Sequence, residues 1–565
     1  MVRLLFSEVD PEVCGLTPRR VPVSPSVGSK AWIRVLAAAL AVWTGLPAAF
    51  AQEPVRGGTL VAVLVPEPGV LSTNFDVGQN VSNLSSKIFD GLIKLGPDLT
   101  PLPELATAWE VSADGLTLTF HLRRGVKWHD GQPFTSADVS FSIQEVWRKF
   151  QPRLRTALAN VDDVRTPDDY TVEFKLSRPA PVILLALNRL QAQILPRHLY
   201  QETDILRNPH NVKPVGTGPF RFKDWVRGDR IVLERNPDYW DTGKPYLDGV
   251  IFRIIPDAAA RSAAFERGDV QYGSVFPVPL SDVARISSLP GLKVIHTGYE
   301  AWGTTLGLEF NLRNPLLQDV RVRRAVAHAV DRARAIQTAY HGLGKPSTGP
   351  VPSAMTPFYT PDTPQYAYNT VVAEQLLDQA GYPRKADGVR FSLHIDGIPF
   401  TDDTRRVAEF IRQSLKRVGI DVEVRNQDLP RFFQRIYTER DFDLALVPMS
   451  ATVDPQIGLE RYFASSGILK GVPFSNASGY QNPELDRIFE AAHVELAPAK
   501  RIELYRQFQR IIQTDLPALP LLEAAFSTVY SDTVHGLAVA PDSAVESFAG
   551  IWLSSPDANS KSVNR

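Results

Sequence analysis

Two glycines one residue apart, Gly216 and Gly218, could begin a phosphate-binding loop in KPVGTGPFRFKDW, residues 213–225. Such a loop needs free backbone N–H groups and a helix that begins directly after it. Pro219 follows the second glycine and has no N–H, and residues 220–225 alternate apolar and charged side chains as in a half-buried strand. The sequence therefore predicts a rigid turn before a strand and argues against a nucleotide site.

Residues that could catalyse hydrolysis or bind a metal are scattered. The chain contains neither His-Glu-x-x-His nor Gly-x-Ser-x-Gly. His121, His129 and His328 fall on a predicted strand face, in a turn and on a predicted helix, and the acidic pairs fall where carboxylates cap helices or turns. We therefore expect a protein that is not an enzyme and that has no cofactor and no metal site; an exported hydrolase is the alternative from another class. The acidic pairs are Asp162–Asp163, Asp168–Asp169 and Asp402–Asp403.

Length and charge exclude some classes of partner. A chain of 565 residues is long enough for about three or four domain-sized units. A formal net charge of −1, with 44% hydrophobic and 22% charged residues, is that of an ordinary globular protein and gives no electrostatic footprint for nucleic acid. Apolar runs stay below the roughly 18 residues that a membrane span requires, so we expect no membrane insertion.

The N-terminal region has the order of a secretory signal. Lys30 and Arg34 flank the apolar run Val35–Leu46, and the small residues Ala49 and Ala51 follow. This order predicts a signal peptide over residues 1–51 with cleavage after Ala51; a buried core helix is the alternative.

Cysteine content supports an exported form without a lipid anchor. Cys14 is the only cysteine and lies upstream of the predicted cleavage site. The mature chain would then have no disulfide, no thiolate nucleophile and no lipid-modified N-terminal cysteine. These features predict that the mature protein is located in the periplasm.

The first part of the chain is rich in predicted strands. Residues 58–65 form an apolar run for one buried strand, and residues 116–123 and 170–176 alternate as strands with one buried face. Thr135 and Asp138 fit a capping box, which predicts a helix from there through Lys149.

The second part has the pattern of an α/β lobe. Apolar residues in 322–330 follow the spacing of an amphipathic helix. A predicted strand at 391–396, a helix at 407–415 and a strand at 420–424 make the unit of a parallel sheet, and 442–448 is a further strand. A β-rich lobe is thus followed by an α/β lobe, and clefts between lobes are the commonest ligand sites.

Several motifs, in order and spacing, resemble the extracytoplasmic solute-binding proteins of family 5, the dipeptide- and oligopeptide-binding components of ABC importers. The resemblance runs from about Gly58 to the region of Phe548. It implies an α/β, two-lobed periplasmic-binding-protein (Venus-flytrap) fold with an extra subdomain in the first lobe. The motifs are WEVSADGLTLTFHLRRGVKWHDGQPFTSADV (109–139), PVGTGPF (214–220), LERNPDYWDTGKPYLDGVIF (233–252), DVRVRRAVAHAVDR (319–332), EQLLDQAGY (374–382) and GYQNPELDRIFEAA (479–492).

The resemblance also implies domain boundaries. It places the turn at Gly216 to Pro219 where the chain leaves the extra subdomain and returns to the first lobe. The predicted segments are lobe I at 57–87, the extra subdomain at 88–213, lobe I again at 214–303, lobe II at 304–524, and a return to lobe I with the C-terminal tail at 525–565.

The same resemblance points to Asp454 as the residue that binds the α-ammonium of a peptide, because the family places an Asp-Pro shortly after the strand that FDLALVP resembles. The alternative is that Asp454 only caps a helix beginning at Pro455. Backbone groups of Ser450, Ala451 and Thr452 could pair with an extended peptide as an added strand.

Five further positions complete the predicted binding site. Leu71, Thr73 and Asn74 resemble the first-lobe side of the cleft. Trp302 could form the floor of the pocket or could serve packing alone. Arg461 could bind a ligand carboxylate by bidentate pairing, or it could be a solvated helix arginine.

The resemblance implies a periplasmic protein, expected to be monomeric, that captures peptides or peptide-like solutes and delivers them to an inner-membrane ABC permease. The alternative within the family is a non-peptide solute, such as an opine-like conjugate, an oligosaccharide or a chelated metal.

Overall fold

The structure, a computed structural model, describes residues 53–538 and 540–554. The predicted signal peptide, its cleavage site after Ala51 and Cys14 lie outside the described residues. The described residues from Pro54 onward form one compact unit. No helix within these ranges has the length and apolar character needed to cross a membrane.

The strands occur throughout the described chain. They are β1 (Thr59–Leu64), β2 (Ile93–Leu95), β3 (Pro101–Pro103), β4 (Ala106–Val111), β5 (Thr117–Leu122), β6 (Val161–Asp168), β7 (Thr171–Leu176), β8 (Phe220–Val226), β9 (Arg230–Arg235), β10 (Gly249–Ile254), β11 (Tyr272–Gly273), β12 (Leu292–Ile295), β13 (Thr304–Phe310), β14 (Gly344–Pro346), β15 (Phe391–Gly397), β16 (Ile420–Arg425), β17 (Leu444–Ser450), β18 (Ala518–Ala524), β19 (Thr528–Ser531), β20 (Val534–His535) and β21 (Trp552–Leu553).

The helices lie between these strands. They are α1 (Gln79–Ser85), α2 (Ser136–Phe141), α3 (Arg148–Phe150), α4 (Pro152–Ala157), α5 (Val182–Ala186), α6 (Arg197–Tyr200), α7 (Ala258–Glu266), α8 (Leu280–Ser287), α9 (Pro315–Gln318), α10 (Val320–Ala329), α11 (Arg332–Ala339), α12 (Thr370–Gln379), α13 (Asp402–Arg417), α14 (Leu429–Phe433), α15 (Pro455–Gly458), α16 (Glu460–Phe463), α17 (Pro483–Val494) and α18 (Pro498–Asp515). Ser142–Trp147 and Gln434–Glu439 are π-helical, and short 3-10 turns occur at Ile205–Arg207, Pro209–Asn211, Ser465–Gly467 and Ser543–Val545.

Two large sheets divide the chain. A seven-stranded sheet has the order β12-β19-β11-β1-β10-β9-β8, with β1 parallel to β10 and β11. A six-stranded sheet has the order β14-β18-β13-β17-β15-β16, with β15 parallel to β16 and β17. The predicted parallel strand–helix–strand unit is confirmed by β15, α13 and β16, since the apolar stripe of α13 is buried while its charged face is exposed.

A four-stranded antiparallel sheet, β4-β5-β7-β6, stands apart from both large sheets. The alternation predicted for residues 116–123 is confirmed in β5, where every second residue is buried. The capping box is also found, because the Thr135 N–H donates to Asp138 Oδ2 at 2.9 Å. The helix predicted through Lys149 is interrupted by the π-helical segment Ser142–Trp147.

The turn at Gly216–Pro219 leads directly into β8, as predicted, and no helix follows it. Its glycines are required by close approach to the chain just after α1: a Cβ on Gly216 would lie 1.9 Å from the Ile88 carbonyl oxygen. The Gly218 N–H donates to the same carbonyl at 2.8 Å. The turn therefore joins two segments of backbone that only glycine allows to meet.

Candidate functional site

The chain passes between the two large sheets twice, through residues 296–303 before β13 and through residues 525–527 before β19. Aromatic side chains pack together at these crossings. The ring centroids of Trp302 and Phe526 are 5.9 Å apart, and Tyr299 lies 5.3 Å from Phe526. The Tyr299 hydroxyl and Thr528 Oγ1 are 2.6 Å apart. The structure thus places Trp302, which is buried, in the packing of the crossings.

The segment Ser450–Thr452 is attached to the first crossing. The Ala451 N–H donates to the Gly303 carbonyl at 2.9 Å, and the Thr452 N–H donates to the Trp302 carbonyl at 3.1 Å. These contacts extend the antiparallel pairing of β13 and β17. Pairing of a peptide with this segment stays a prediction, and it would have to use groups other than these two N–H donors.

Local geometry in this segment is unusual. Thr452 is buried and has a φ of 55°, a left-handed conformation that β-branched residues rarely adopt. Its Oγ1 donates to the Ala451 carbonyl at 2.7 Å. A Cβ on Gly458 would lie 2.3 Å from the Ser450 carbonyl oxygen, so α15 packs directly against the end of β17. Strained backbone held by surrounding packing is common at binding sites.

Asp454 caps α15. Its Oδ1 accepts a hydrogen bond from the Gln456 N–H at 2.9 Å, so the capping role considered from the sequence is confirmed. The carboxylate also forms a bidentate ion pair with Arg501, at 2.6 Å to Nη1 and 2.9 Å to Nη2. Burial alone would lower the pKa of Arg501, but the charge of Asp454 raises it above the ordinary value. Binding of a ligand ammonium by Asp454 stays a prediction, in which the ligand would share this carboxylate with Arg501.

The ion pair continues into a buried polar network. The Tyr505 hydroxyl donates to Glu460 Oε1 at 2.8 Å, and His493 Nε2 lies 2.6 Å from Glu460 Oε2. Burial alone would lower the pKa of His493, but its hydrogen bond to Glu460 and that carboxylate's charge raise it. This network fixes α15 and α16 on α17 and α18.

The first-lobe segment is organised by Gln193. Its Oε1 accepts from the Thr73 N–H at 3.0 Å, and its carbonyl accepts from Asn74 Nδ2 at 2.9 Å. Thr73 Oγ1 and Asn74 Oδ1 are buried and have no hydrogen-bond partner among the described residues. A buried polar atom without a partner costs about 1–3 kcal/mol, which a ligand group could recover.

Two of the predicted residues, Leu71 and Trp302, lie in one packed apolar cluster with residues near Asp454. Leu71, Trp302, Val453 and Ile457 all belong to the same buried apolar cluster. Helix α15 contacts α4 and α5, which precede β8. These contacts join segments that the predicted domain boundaries assign to different parts of the chain.

Arg461 lies on α16, half-buried, and its Nη2 donates to the Pro473 carbonyl at 2.6 Å. Arg153, on α4, is half-buried, and its Nη1 donates to Gln191 Oε1 at 3.3 Å. Burial, together with the positive charge of Arg461, lowers the pKa of Arg153 to about 10.

Sequence reasoning missed four residues of this site: Arg153, Gln193, Gly458 and Arg501. Gly458 could have been suspected from its position after Asp-Pro in a short helix. The other three are distant in sequence from the segments that they support and carry no local pattern. No group of three metal-ligating side chains occurs in the ranges 53–538 and 540–554.

A cavity of about 610 Å³ lies outside this cleft. Its lining comes from residues 265–268, 270–271 and 289–292 together with Ser531, Thr533 and Leu553, and none of the predicted binding residues contributes to it.

Comparisons with known proteins agree with this architecture. The family model "Bacterial extracellular solute-binding proteins, family 5 Middle" matches residues 100–470. The dipeptide-binding protein of Escherichia coli K12 is 29% identical over 503 residues, which are 83% of this chain and 89% of that protein.

Two solved structures share the fold. The oligopeptide-binding protein AppA of Bacillus subtilis, in complex with a nonapeptide, has a TM-score of 0.76 and 26% identity and covers 89% of this chain and 100% of its own. The binding protein AgaA of A. tumefaciens R10, in complex with agropinic acid, has a TM-score of 0.74 and 28% identity, covering 88% of this chain and 99% of its own. The predicted α/β two-lobed periplasmic-binding-protein fold is confirmed.

Proposed function

This chain belongs to family 5 of the bacterial extracellular solute-binding proteins, and from that premise we propose that it captures peptides or peptide-like solutes between its two lobes. On this proposal it delivers them to an inner-membrane ABC permease. The protein acts by binding alone and catalyses no reaction.

One observation carries the proposal: segments predicted to bind ligand from both lobes pack together beside the crossings between the sheets. Leu71 from the first lobe and Val453 from the second share a buried cluster with Trp302. Lobes joined by two crossing segments can open and close by small changes at those segments. A ligand favours closure only by its greater affinity for the closed form.

The buried atoms Thr73 Oγ1 and Asn74 Oδ1 support a polar ligand on the first-lobe side, because each lacks a partner among the described residues. On the second-lobe side, Ser450–Thr452 and Arg461 are the proposed contacts. Asp454 stabilises the second-lobe side of the site through its ion pair with Arg501. Binding of a ligand ammonium by the Asp454 carboxylate is a separate proposal with its own test.

The domain boundaries are part of the proposal. Strands β4 to β7 all fall within the proposed subdomain 88–213, and β13 to β18 all fall within the proposed lobe II, 304–524. We further propose export to the periplasm through a signal peptide cleaved after Ala51, and a monomeric state in solution.

A non-peptide ligand is the second candidate. AgaA, 28% identical, binds agropinic acid on the same fold, so the fold alone does not select a peptide. The ligand test must therefore include small organic acids.

The test measures the melting temperature of mature protein, refolded to remove bound ligand, against di- to pentapeptides, their N-acetylated forms and a set of sugars, opines and metal chelates. A ligand present at about a hundred times its dissociation constant should add about 2.7 kcal/mol of stability. A shift with peptides supports the proposal. A rise in melting temperature with non-peptide solutes alone would mean that the ligand is one of those solutes and not a peptide. Release of a chemically altered product would favour the hydrolase alternative.

The N-acetylated peptides test the role of Asp454 separately. If the carboxylate binds the ligand ammonium, acetylation should abolish the shift. Equal shifts with free and acetylated peptides would remove that contact and leave the ion pair with Arg501 as the role of Asp454.

A further inference from the structure

The turn between β4 and β5 is rigidly built around Gly115, which has a φ of 69°. The Ser112 hydroxyl donates to Asp114 Oδ1 at 2.6 Å, and the same Asp114 oxygen accepts from the Leu116 N–H at 3.0 Å. Ser112 Oγ also accepts from the Thr117 N–H at 2.9 Å. A left-handed conformation of this kind favours glycine, and the hydrogen bonds hold the turn in one shape. The four-stranded sheet therefore presents Gly115 as a fixed surface without a side chain.

A leucine on the second lobe is also held in place. Leu496 lies in the connection of three residues between α17 and α18, where the Ala497 N–H donates to Glu495 Oε1 at 2.8 Å. Helix α17 is itself anchored, because His493 Nε2 lies 2.6 Å from the Oε2 atom of Glu460. The connection thus presents the Leu496 side chain, which is 41% exposed, in a fixed position.

The Leu496 side chain packs against the Gly115 turn. A Cβ atom built on Gly115 would lie 2.7 Å from Leu496 Cδ1 and 3.2 Å from Pro179 Cβ, so the leucine lies on the glycine beside the proline. The ion pair between Arg178 and Glu490, with Nη2 3.2 Å from Oε2, joins the same two parts of the chain. A side chain at position 115 would displace the leucine.

This contact is made by residues other than those predicted to bind ligand. Gly115 and Pro179 belong to the proposed subdomain, 88–213, and Leu496 belongs to the proposed lobe II, 304–524. The contact is small, because much of the leucine remains exposed and the ion pair beside it is more than half exposed. Small contacts of this kind between parts of a chain can form and break without unfolding either part.

We propose that Leu496, Gly115 and Pro179 form a latch, a contact that the subdomain and the second lobe make when the lobes close and break when they open. The latch rests on the proposed function and adds to it a contact, outside the ligand cleft, that stabilises the closed form. Apolar burial supplies most of this stabilisation, since an exposed ion pair contributes little. A bound solute is then retained more tightly than by cleft contacts alone, because a more populated closed form raises apparent affinity.

The test measures the ratio of closed to open molecules without ligand, by single-molecule energy transfer between dyes on two cysteines. The dyes are placed through Thr166→Cys in the subdomain and Lys416→Cys in the second lobe, two exposed positions, in mature protein that lacks Cys14. Leu496→Ala should lower the ratio about fivefold, because it removes most of the apolar contact. Its control is Leu469→Ala, a leucine of the same lobe that is 50% exposed, which should leave the ratio unchanged.

A second pair of variants tests the contact from the side of the turn. Gly115→Ala should also lower the ratio, because its Cβ would displace the Leu496 side chain. Gly125→Ala is the matched control. Gly125 has a φ of 75°, and no atom of the described chain, apart from its neighbours in sequence, lies within 4 Å of a Cβ built there, so the variant carries the same backbone strain without the clash. In the double variant with Leu496→Ala, Gly115→Ala should lower the ratio no further.

The outcomes separate the latch from the proposed function. If Leu496→Ala and Gly115→Ala keep the ratio of their controls, or if every protein shows the same single distance, the latch is wrong. If trialanine does not bind, the peptide proposal loses support, and the ligand-free ratio still decides on the latch. Circular dichroism of each variant confirms folding, and either variant of the contact suffices if the other does not fold.

Trialanine also tests retention. If it binds, its apparent affinity should fall about fivefold in Leu496→Ala and stay unchanged in Leu469→Ala. Equal affinities in these two variants would overturn retention by the latch.

Discussion

At the scale of single residues, the site depends on buried charges with one specific partner each. Asp454 has a fully buried side chain, and its carboxylate is bound by Arg501 and by the N–H of Gln456. A charge removed from water is tolerated only while its partner remains.

Replacement of Asp454 by Asn should therefore destabilise the ligand-free protein. We expect the free energy of unfolding to fall by about 3–5 kcal/mol, because Arg501 is left buried without a counter-charge. Denaturant titration measures this. The control is Asp362→Asn, since the Asp362 side chain is 83% exposed and its pair with Arg510 should contribute less than about 1 kcal/mol. Unchanged stability with lost ligand binding would instead identify Asp454 as a direct ligand contact.

His129 gives a prediction for pH. Its Nδ1 accepts from the Gly216 N–H at 3.1 Å and its Nε2 donates to the Gly218 carbonyl at 2.9 Å, which requires the neutral ring. Burial lowers the pKa of His129 from 6.5 to about 4.

Because the folded pKa is the lower one, the unfolded chain takes up the proton first as pH falls. The contribution of His129 is complete above pH 6.5 and is lost between about pH 6.5 and 4. Between pH 7 and 5 the wild type should lose about 2 kcal/mol through this residue, at 1.36 kcal/mol per unit. His129→Gln should lack this loss, whereas His121→Gln, whose ring is 45% exposed, should retain it. If the free energy of unfolding falls equally with pH in wild type and His129→Gln, the prediction is wrong.

At the scale of secondary-structure elements, the site depends on how closely α15 approaches the end of β17. Gly458 makes this contact possible, because a Cβ there would lie 2.3 Å from backbone atoms of Ser450 and Ala451. The same β17 segment is bound to the crossing at Trp302 and Gly303. Helix, strand and crossing are thus joined directly to one another.

Gly458→Ala should force α15 away from β17, at a cost of about 1–3 kcal/mol, as in other overpacked cores. Ligand affinity should fall with it, since Ser450–Thr452 would shift. Thermal unfolding and calorimetry test both effects. Gly349→Ala is the matched control because its nearest atom would lie at an ordinary 3.8 Å. If Gly458→Ala keeps wild-type stability and affinity, the close contact is not needed.

At the scale of the whole molecule, two kinds of contact hold the lobes together. Ile457 is buried in the cluster that both lobes share. Arg178 and Glu490 form an ion pair at 3.2 Å whose side chains are more than half exposed. Apolar burial stabilises closure far more than an exposed ion pair does.

Ile457→Ala should therefore shift the ligand-free protein toward the open form, which small-angle scattering detects as a larger radius of gyration. The loss of buried apolar contact, about 2–5 kcal/mol in a core, lowers the closed fraction and weakens apparent affinity about tenfold or more. Arg178→Gln should change both quantities little. Equal effects of the two variants would show that closure does not depend on this apolar contact.

The sequence by itself determined the local structure. Alternation in β5, the capping box at Thr135 and the stripe of α13 each depend on neighbours within a few residues, and each is confirmed. The family also followed from the sequence, because its motifs are contiguous stretches.

Only the tertiary structure decided what the charged residues of the cleft do. Arg501 lies 47 residues from Asp454 in the sequence. Whether a carboxylate is paired or a guanidinium is left without a counter-charge depends on which distant segments the fold brings within a few ångströms. Coulomb interactions and desolvation act through that distance and not through sequence separation, so the pairing of Asp454 with Arg501 had no local sequence signal.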